Sequence, residues 1–212
     1  MGRSDRPTWH VAYLEAVPED TAEIIRSRLP PGFALHVAAD YSDETARELV
    51  RQADFVLVAT RPLPARLIAA GRRLRLIQHQ GVGYDGTDVA AARAVGVPVA
   101  LCPEGTTTGV AEHMILLILA VYRQLLRADA SVRAGEWLQF GLRSGSHELA
   151  GKRLGLLGFG RIGRAVARRA RAFEALVLYH DPIRPSAAEE ADLEVTYRSF
   201  VELLAEADIL SL

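Results

Sequence analysis

The residues best suited to chemistry are Gly158-Phe159-Gly160-Arg161-Ile162-Gly163, three glycines at G-x-G-x-x-G spacing between an apolar run and an arginine-rich helical stretch. The first glycine permits a tight turn, the second lets backbone approach a pyrophosphate, and the third lets helix and strand pack closely. Free amides at the helix start, at the positive end of its dipole, favour phosphates. The next strand-like run, "LVLYHD", ends at Asp181, eighteen residues after Gly163. An acid there accepts hydrogen bonds from the ribose hydroxyls of NAD and repels the 2′-phosphate of NADP. The expected ligand of the turn is therefore NAD. Arg184 reads as a solvated loop arginine, and Arg164, Arg168 and Arg171 as a solvated helix face.

The histidines are His10, His36, His79, His113, His147 and His180. His79 ends a strand-like run and reads as a structural or substrate-orienting group, because no carboxylate stands beside it in sequence. Glu112 and His113 are consecutive on a helix and diverge by about 100°, so adjacency does not pair them. His180, beside Asp181, is expected at the rim of the adenosine pocket. No metal-ligand spacing occurs. Cys102, the only cysteine, reads as a small core residue; it forms no intrachain disulfide and fits a reducing, cytoplasmic setting.

The elements that must position these residues alternate along the chain. Strand-like runs "WHVAYL", "ALHVA", "FVLVA", "LIQH" and "VPVAL" are separated by helical stretches such as "DTAEIIRSRL", with Asp20 as N-cap. This is the pattern of βαβ units around a parallel sheet. One long helix is expected from Val110 to about Arg127, with "MILLILAVY" buried on nearly all sides. A polar, glycine-punctuated stretch then reaches Gly151, and a second series follows. It comprises strand 153–157, helix 162–173 with Ile162, Val166, Ala170 and Phe173 toward a sheet, strand 176–179, a weak strand near 194–197, helix 199–205 and strand 208–212. The apolar run at 114–122 is far below the roughly 18 residues of a membrane span. The start, "MGRSDRPTWH", lacks the apolar run of a secretory signal.

The 212 residues are half hydrophobic and carry a net charge of -1, enough apolar material for one large or two small cores. That balance provides no overall basic field for nucleic acid or anionic lipid.

The segments "LIQHQGVGYDGTDVAAARAVGVPVA", "GVAEHMILLILA", "RAGEW" and "LAGKRLGLLGFGRIGRAVARRARAF…VLYHDP" together resemble the D-isomer-specific 2-hydroxyacid dehydrogenases, over about residues 55–212. The resemblance implies an α/β chain with a flavodoxin-like substrate domain, residues 1–103, and an NAD-binding Rossmann domain, residues 104–212, truncated after its fourth strand. It implies an active site in the cleft between them, a small 2-hydroxy or 2-keto acid as substrate, and a homodimer built on the helix from Val110. By the same resemblance the amides of Val82 and Gly83 hold the substrate carboxylate, with Val82 also near the nicotinamide. A glycine-rich loop suits that task, since close backbone approach needs missing side chains. Gly158, Gly160, Arg161, Ile162 and Gly163 meet the pyrophosphate, Asp181 the adenosine ribose, and Val110 the nicotinamide.

Three departures stand out. Leu101-Cys102-Pro103 replaces the family's Asn-x-Pro, and Glu174 stands where the family has glycine; a left-handed Glu174 costs on the order of 1 kcal/mol. The family's catalytic arginine, glutamate and histidine lie beyond the strand matching 208–212 and have no counterparts here. The leading expectation is the N-terminal portion of an NAD-dependent D-2-hydroxyacid dehydrogenase, inactive as it stands. A catalytically dead NAD-binding or dimerisation protein and an adenosylhomocysteinase-like hydrolase are the alternatives. "ADILSL" at the end disfavours the former, and the loop "QGVGYD" upstream of the long helix disfavours the latter.

Overall fold

Apolar runs of two to five residues, too short for helices and rich in Val, Leu and Ile, form the strands of two parallel sheets. The computed structural model describes residues 9–212. Most of the polar N-terminal stretch lies outside them. The backbone divides into two compact units, Met1–Glu104 and Gly105–Leu212.

The first unit runs β1 (Trp9–Tyr13), α1 (Glu19–Arg28), β2 (Phe33–Val37), α2 (Asp43–Gln52), β3 (Phe55–Val58), α3 (Ala65–Ile68), β4 (Leu76–His79), α4 (Val89–Ala94) and β5 (Val99–Ala100). Its strands pair in parallel in the order β2-β1-β3-β4-β5. Register places Val11 beside Phe55, Phe55 beside Leu76 and Ile77 beside Val99. Leu14, Val50, Val56, Val58, Leu67 and Ile77 are buried in its core.

The second unit opens with three helices, α5 (Thr107–Tyr122), α6 (Leu125–Arg133) and α7 (Gln139–Arg143). There follow β6 (Arg153–Leu157), α8 (Arg161–Arg171), β7 (Leu176–His180), α9 (Ala187–Leu193), β8 (Val195–Tyr197), α10 (Phe200–Glu206) and β9 (Ile209–Ser211). The strands pair in parallel as β8-β7-β6-β9, with Val177 beside Leu154 and Leu154 beside Ile209. α8 turns Ala165, Val166, Ala167 and Ala170 inward, and α5 adds Ala111, Ile115 and Ile118 to the same core. Gly155 in β6 admits α10: a Cβ there would lie 2.8 Å from the Ala207 Cβ and 3.2 Å from Leu203. A capping box starts α10, in which Ser199 and Glu202 each satisfy the other's backbone N–H.

Several local expectations are corrected. The long helix is two helices bent by 65°, because Gln124 takes a left-handed backbone (φ 48°) and its side chain donates to the Leu142 carbonyl at 2.9 Å. The run "MILLILAVY" buries only one face, leaving Leu116, Leu117 and Val121 exposed. α1 starts at Glu19 with Pro18 as its N-cap, so Asp20 sits inside the first turn. Phe173 is exposed: α8 ends at Arg171 and the chain reverses at Glu174. Glu174 is left-handed, at φ 59°. Cys102 is exposed rather than in the core, since β5 ends two residues before it. No single helix among the described residues is long and apolar enough to cross a membrane.

Candidate functional site

The glycine turn links β6 to α8. Gly158 has φ +102°, a backbone region that only glycine occupies without strain. A Cβ on Gly163 would lie 2.6 Å from the Gly158 carbonyl oxygen, so the third glycine closes the helix onto the turn. A Cβ on Gly160 would meet nothing within 4 Å. No packing demand of the chain calls for glycine there, whereas a close-lying ligand does.

The helix start is equally open. α2, α4, α9 and α10 are each N-capped by a side chain, from Ser42, Asp88, Ser186 and Ser199. α8 has Gly160 as N-cap, no side-chain cap and no acid in its first turn. The amides of Ile162 and Gly163 have no acceptor among the described residues. Uncapped donors at the positive end of an 11-residue helix form an anion site, and the residues present fit a pyrophosphate.

Asp181 follows β7. Its carboxylate accepts the Phe159 N–H and the Ile183 N–H, each at 2.7 Å, and these bonds hold it below the usual carboxylate range. Asp181 is therefore an anion fixed against the turn. Phe159 is held from two further sides: its ring stacks on Tyr179 at 4.1 Å, and its carbonyl accepts from Arg164 Nε at 3.1 Å. Behind it the Tyr179 hydroxyl donates to Glu190, which Arg184 grips through two nitrogens at 2.6 and 2.9 Å. Arg184 first and Tyr179 second hold Glu190 down to about 2, while burial and Glu190 push Tyr179 up to about 12. Arg184 is thus an anchoring residue stacked over Tyr197, not a solvated one. Arg164 and Arg171 likewise tie α8 down, through Glu189 and Glu194.

In the first unit, Val82 and Gly83 lie on the loop after β4, where Val82 is half exposed. Their amides donate to no group among the described residues, while the rest of the loop is tied down. The Tyr13 hydroxyl donates to Gln80 at 2.9 Å, His79 Nε2 meets the Thr87 hydroxyl at 2.9 Å, and Leu63 N–H bonds the Gly86 carbonyl at 2.8 Å. Leu63 is steadied by the segment before it. The buried Glu15 carboxylate accepts three successive N–H groups, from Ala59 at 2.9 Å, Thr60 at 2.7 Å and Arg61 at 2.9 Å, plus the Thr60 hydroxyl at 2.8 Å. Burial opposes the charge of Glu15, but these donors outweigh it and lower its pKa.

The sequence-derived residues fall into two sets. Gly158, Gly160, Arg161, Ile162, Gly163 and Asp181 gather at the carboxyl ends of β6 and β7, with Val110 exposed in the first turn of α5, which packs on α8. Val82 and Gly83 belong to the first unit. His79 is buried with Thr87, and burial lowers its pKa. His180 donates or accepts at the Arg198 carbonyl, 3.0 Å away, and lies against Tyr197 and Phe200. No histidine ring among the described residues is hydrogen-bonded to a carboxylate, and none of them forms a metal-binding cluster. Sequence reasoning missed Phe159, Tyr179, Glu190 and Glu15, whose partners are distant in sequence.

The comparisons with known proteins fit this geometry. Residues 115–212 match the model of the D-isomer specific 2-hydroxyacid dehydrogenase, NAD binding domain. Those residues carry the NAD-binding domain of this family. It is 34% identical over 211 residues to a glyoxylate reductase of Thermococcus gammatolerans, spanning 95% of this chain and 62% of the relative. It is 37% identical over 166 residues to a hydroxypyruvate reductase of Thermotoga maritima, covering 78% of this chain and 52% of that one. Among solved structures, a glyoxylate reductase from Paecilomyes thermophila superposes with a TM-score of 0.75 at 30% identity, covering 98% of this chain and 65% of that one. The chain thus spans less than two thirds of the length of these D-2-hydroxyacid dehydrogenase relatives. NAD is the cofactor of the matched domain.

Proposed function

We propose that this chain carries the NAD-binding and carboxylate-holding parts of a D-2-hydroxyacid dehydrogenase, which oxidises a small 2-hydroxy acid or reduces the matching 2-keto acid. The observation that carries the reading is the uncapped start of α8 beside an open Gly160 and an anchored Asp181. When bound, NAD supplies or accepts the hydride. The chain's residues do the holding: the amides of Ile162 and Gly163 bind the pyrophosphate, with Arg161 beside it, and Asp181 orients the adenosine ribose. Gly158 and Gly163 shape the turn. Val110 lies by the nicotinamide. The amides of Val82 and Gly83 bind the carboxylate of the acid.

Transfer also needs a group that exchanges the proton of the hydroxyl. No described imidazole ring pairs with a carboxylate, so these 212 residues by themselves are proposed to bind NAD and turn nothing over. The names of the relatives support glyoxylate and hydroxypyruvate as substrates to try first. The outward Leu116, Leu117, Val121, Leu125 and Leu126 support a homodimer through α5 and α6. A net charge of -1 supports neither a nucleic-acid nor a membrane partner, and the single cysteine supports a cytoplasmic setting.

Calorimetric titration with NADH and NADPH, followed by an absorbance assay with glyoxylate and hydroxypyruvate, tests the reading. The expected result is binding that favours NADH, without oxidation. Failure to bind NADH refutes the cofactor assignment, and turnover that copurifies with the chain refutes the missing proton donor.

A further inference from the structure

Away from the glycine turn and from the Val82 loop, four arginines converge on one open concavity of the first unit. Arg47 and Arg51 stand one helical turn apart on α2, Arg66 comes from α3, and Arg72 from the turn after α3; only Ala69 and Ala70 complete the lining, around a volume of about 620 Å³. Gly71 brings the last of them in. A Cβ at Gly71 would lie 3.0 Å from a Val50 methyl and 3.3 Å from the Val50 carbonyl oxygen, so a glycine lets this turn close onto α2 and set Arg72 beside Arg47 and Arg51.

The protein balances the charge there only in part, through Asp43. Arg66 bonds Asp43, its Nε at 3.2 Å, but the same carboxylate also receives the buried Arg61 at 3.4 Å. The side chains of Arg47, Arg51 and Arg72 form no hydrogen bond or ion pair with any described residue; Arg47 feels the charge of Asp43 at longer range, and Glu44 and Glu48 share the helix with Arg47 and Arg51. Like charges drawn together with too little counter-charge repel, and an anion that bridges them removes the repulsion. Guanidinium forks match phosphate oxygens two at a time. The lining holds no aromatic ring on which a base could stack, so the ligand is recognised by charge alone.

We propose that this concavity binds a small polyphosphate-type anion carrying three or more negative charges, at a site separate from the dinucleotide turn. Arg47, Arg51 and Arg72 hold its phosphates, and Arg66 closes the side next to Asp43.

Tripolyphosphate is the probe, titrated into the purified chain by calorimetry at near-physiological salt. The expected result is one ion per chain, bound more weakly as salt rises. The combined Arg47→Ala, Arg51→Ala and Arg72→Ala variant is expected to lose affinity by at least about tenfold while its circular dichroism and its NADH binding stay unchanged. The single Arg72→Glu variant is expected to lose binding as well. Gly160→Ala, which is expected to lose NADH binding, is expected to leave tripolyphosphate binding intact. The proposal is overturned by absence of binding to the unsubstituted chain, by undiminished binding to the triple variant, or by loss in Gly160→Ala alone, which would put the ion on the glycine turn. Capture of RNA without tripolyphosphate binding would likewise overturn it, in favour of a broad polyanion face.

Discussion

The carboxylate of Asp181 accepts the backbone N–H of Phe159 at 2.7 Å, joining the end of β7 to the middle of the glycine turn across 22 positions of sequence. The acid proposed to select the ribose is thus also bonded into the turn proposed to hold the phosphates. Asp181→Ala is expected to weaken NADH binding by about tenfold, the loss of roughly one charge-assisted hydrogen bond. The preference over NADPH should shrink with it. Parallel titrations with both nucleotides decide the matter, and an unchanged ratio of affinities would remove Asp181 from the specificity role.

The glycines of the turn should separate by experiment. Gly163→Val forces carbon against the Gly158 carbonyl and is expected to cost about 1–3 kcal/mol of stability as well as NADH binding. Gly160→Ala places its methyl in open space and should keep the melting temperature while losing NADH. A fall in melting temperature for Gly160→Ala would mean that this glycine serves the fold.

Acid should loosen the first unit through Glu15. Its folded pKa lies below the unfolded value of about 4.3, so the stability it contributes is fully present above that value and is lost as pH falls through the folded one. Glu15→Gln, which cannot carry the charge that the three amides hold, should cost about 1.5–3 kcal/mol at neutral pH. It should also flatten the decline below pH 4.5. Melting curves from pH 3 to 7 give both readings, and an unaltered acid slope in the variant would assign the decline to other carboxylates.

Leu117, half exposed on α5, faces outward with Leu116 and Val121. Leu117→Asp is expected to turn a dimer into a monomer by sedimentation velocity, with secondary structure retained. A chain that sediments as a monomer before substitution would end the homodimer proposal.

The sequence makes the strand alternation and the glycine turn legible because both are local. A strand is read from five neighbouring residues, and Gly158, Gly160 and Gly163 lie within six. What was not legible depends on partners far along the chain. Glu15 looks like any acid after a strand until β3 brings the amides of residues 59–61 to it, more than forty positions later. Arg164, Arg171 and Arg184 read as solvated because their acids, Glu189, Glu194 and Glu190, come from the separate helix α9 and the residue after it. The break at Gln124 was hidden by an unbroken apolar pattern, since the side-chain bond that steadies it reaches to Leu142.

The carboxylate cradle at Glu15 has a wider meaning when the two sheets are compared. In parallel sheets, ligands settle at the carboxyl ends of the strands where the strand order reverses. The first sheet reverses between β1 and β3, and there the chain has installed its own anion, Glu15, in the seat a foreign one would take. The second sheet reverses between β6 and β9, and beside it the first turn of α8 has neither a side-chain cap nor an acid of its own. The two sheets thus differ at their reversal points: the first carries its own buried carboxylate there, bound by three amides, while the second pairs an uncapped helix start with a carboxylate, Asp181, that is bound to the turn by a single amide.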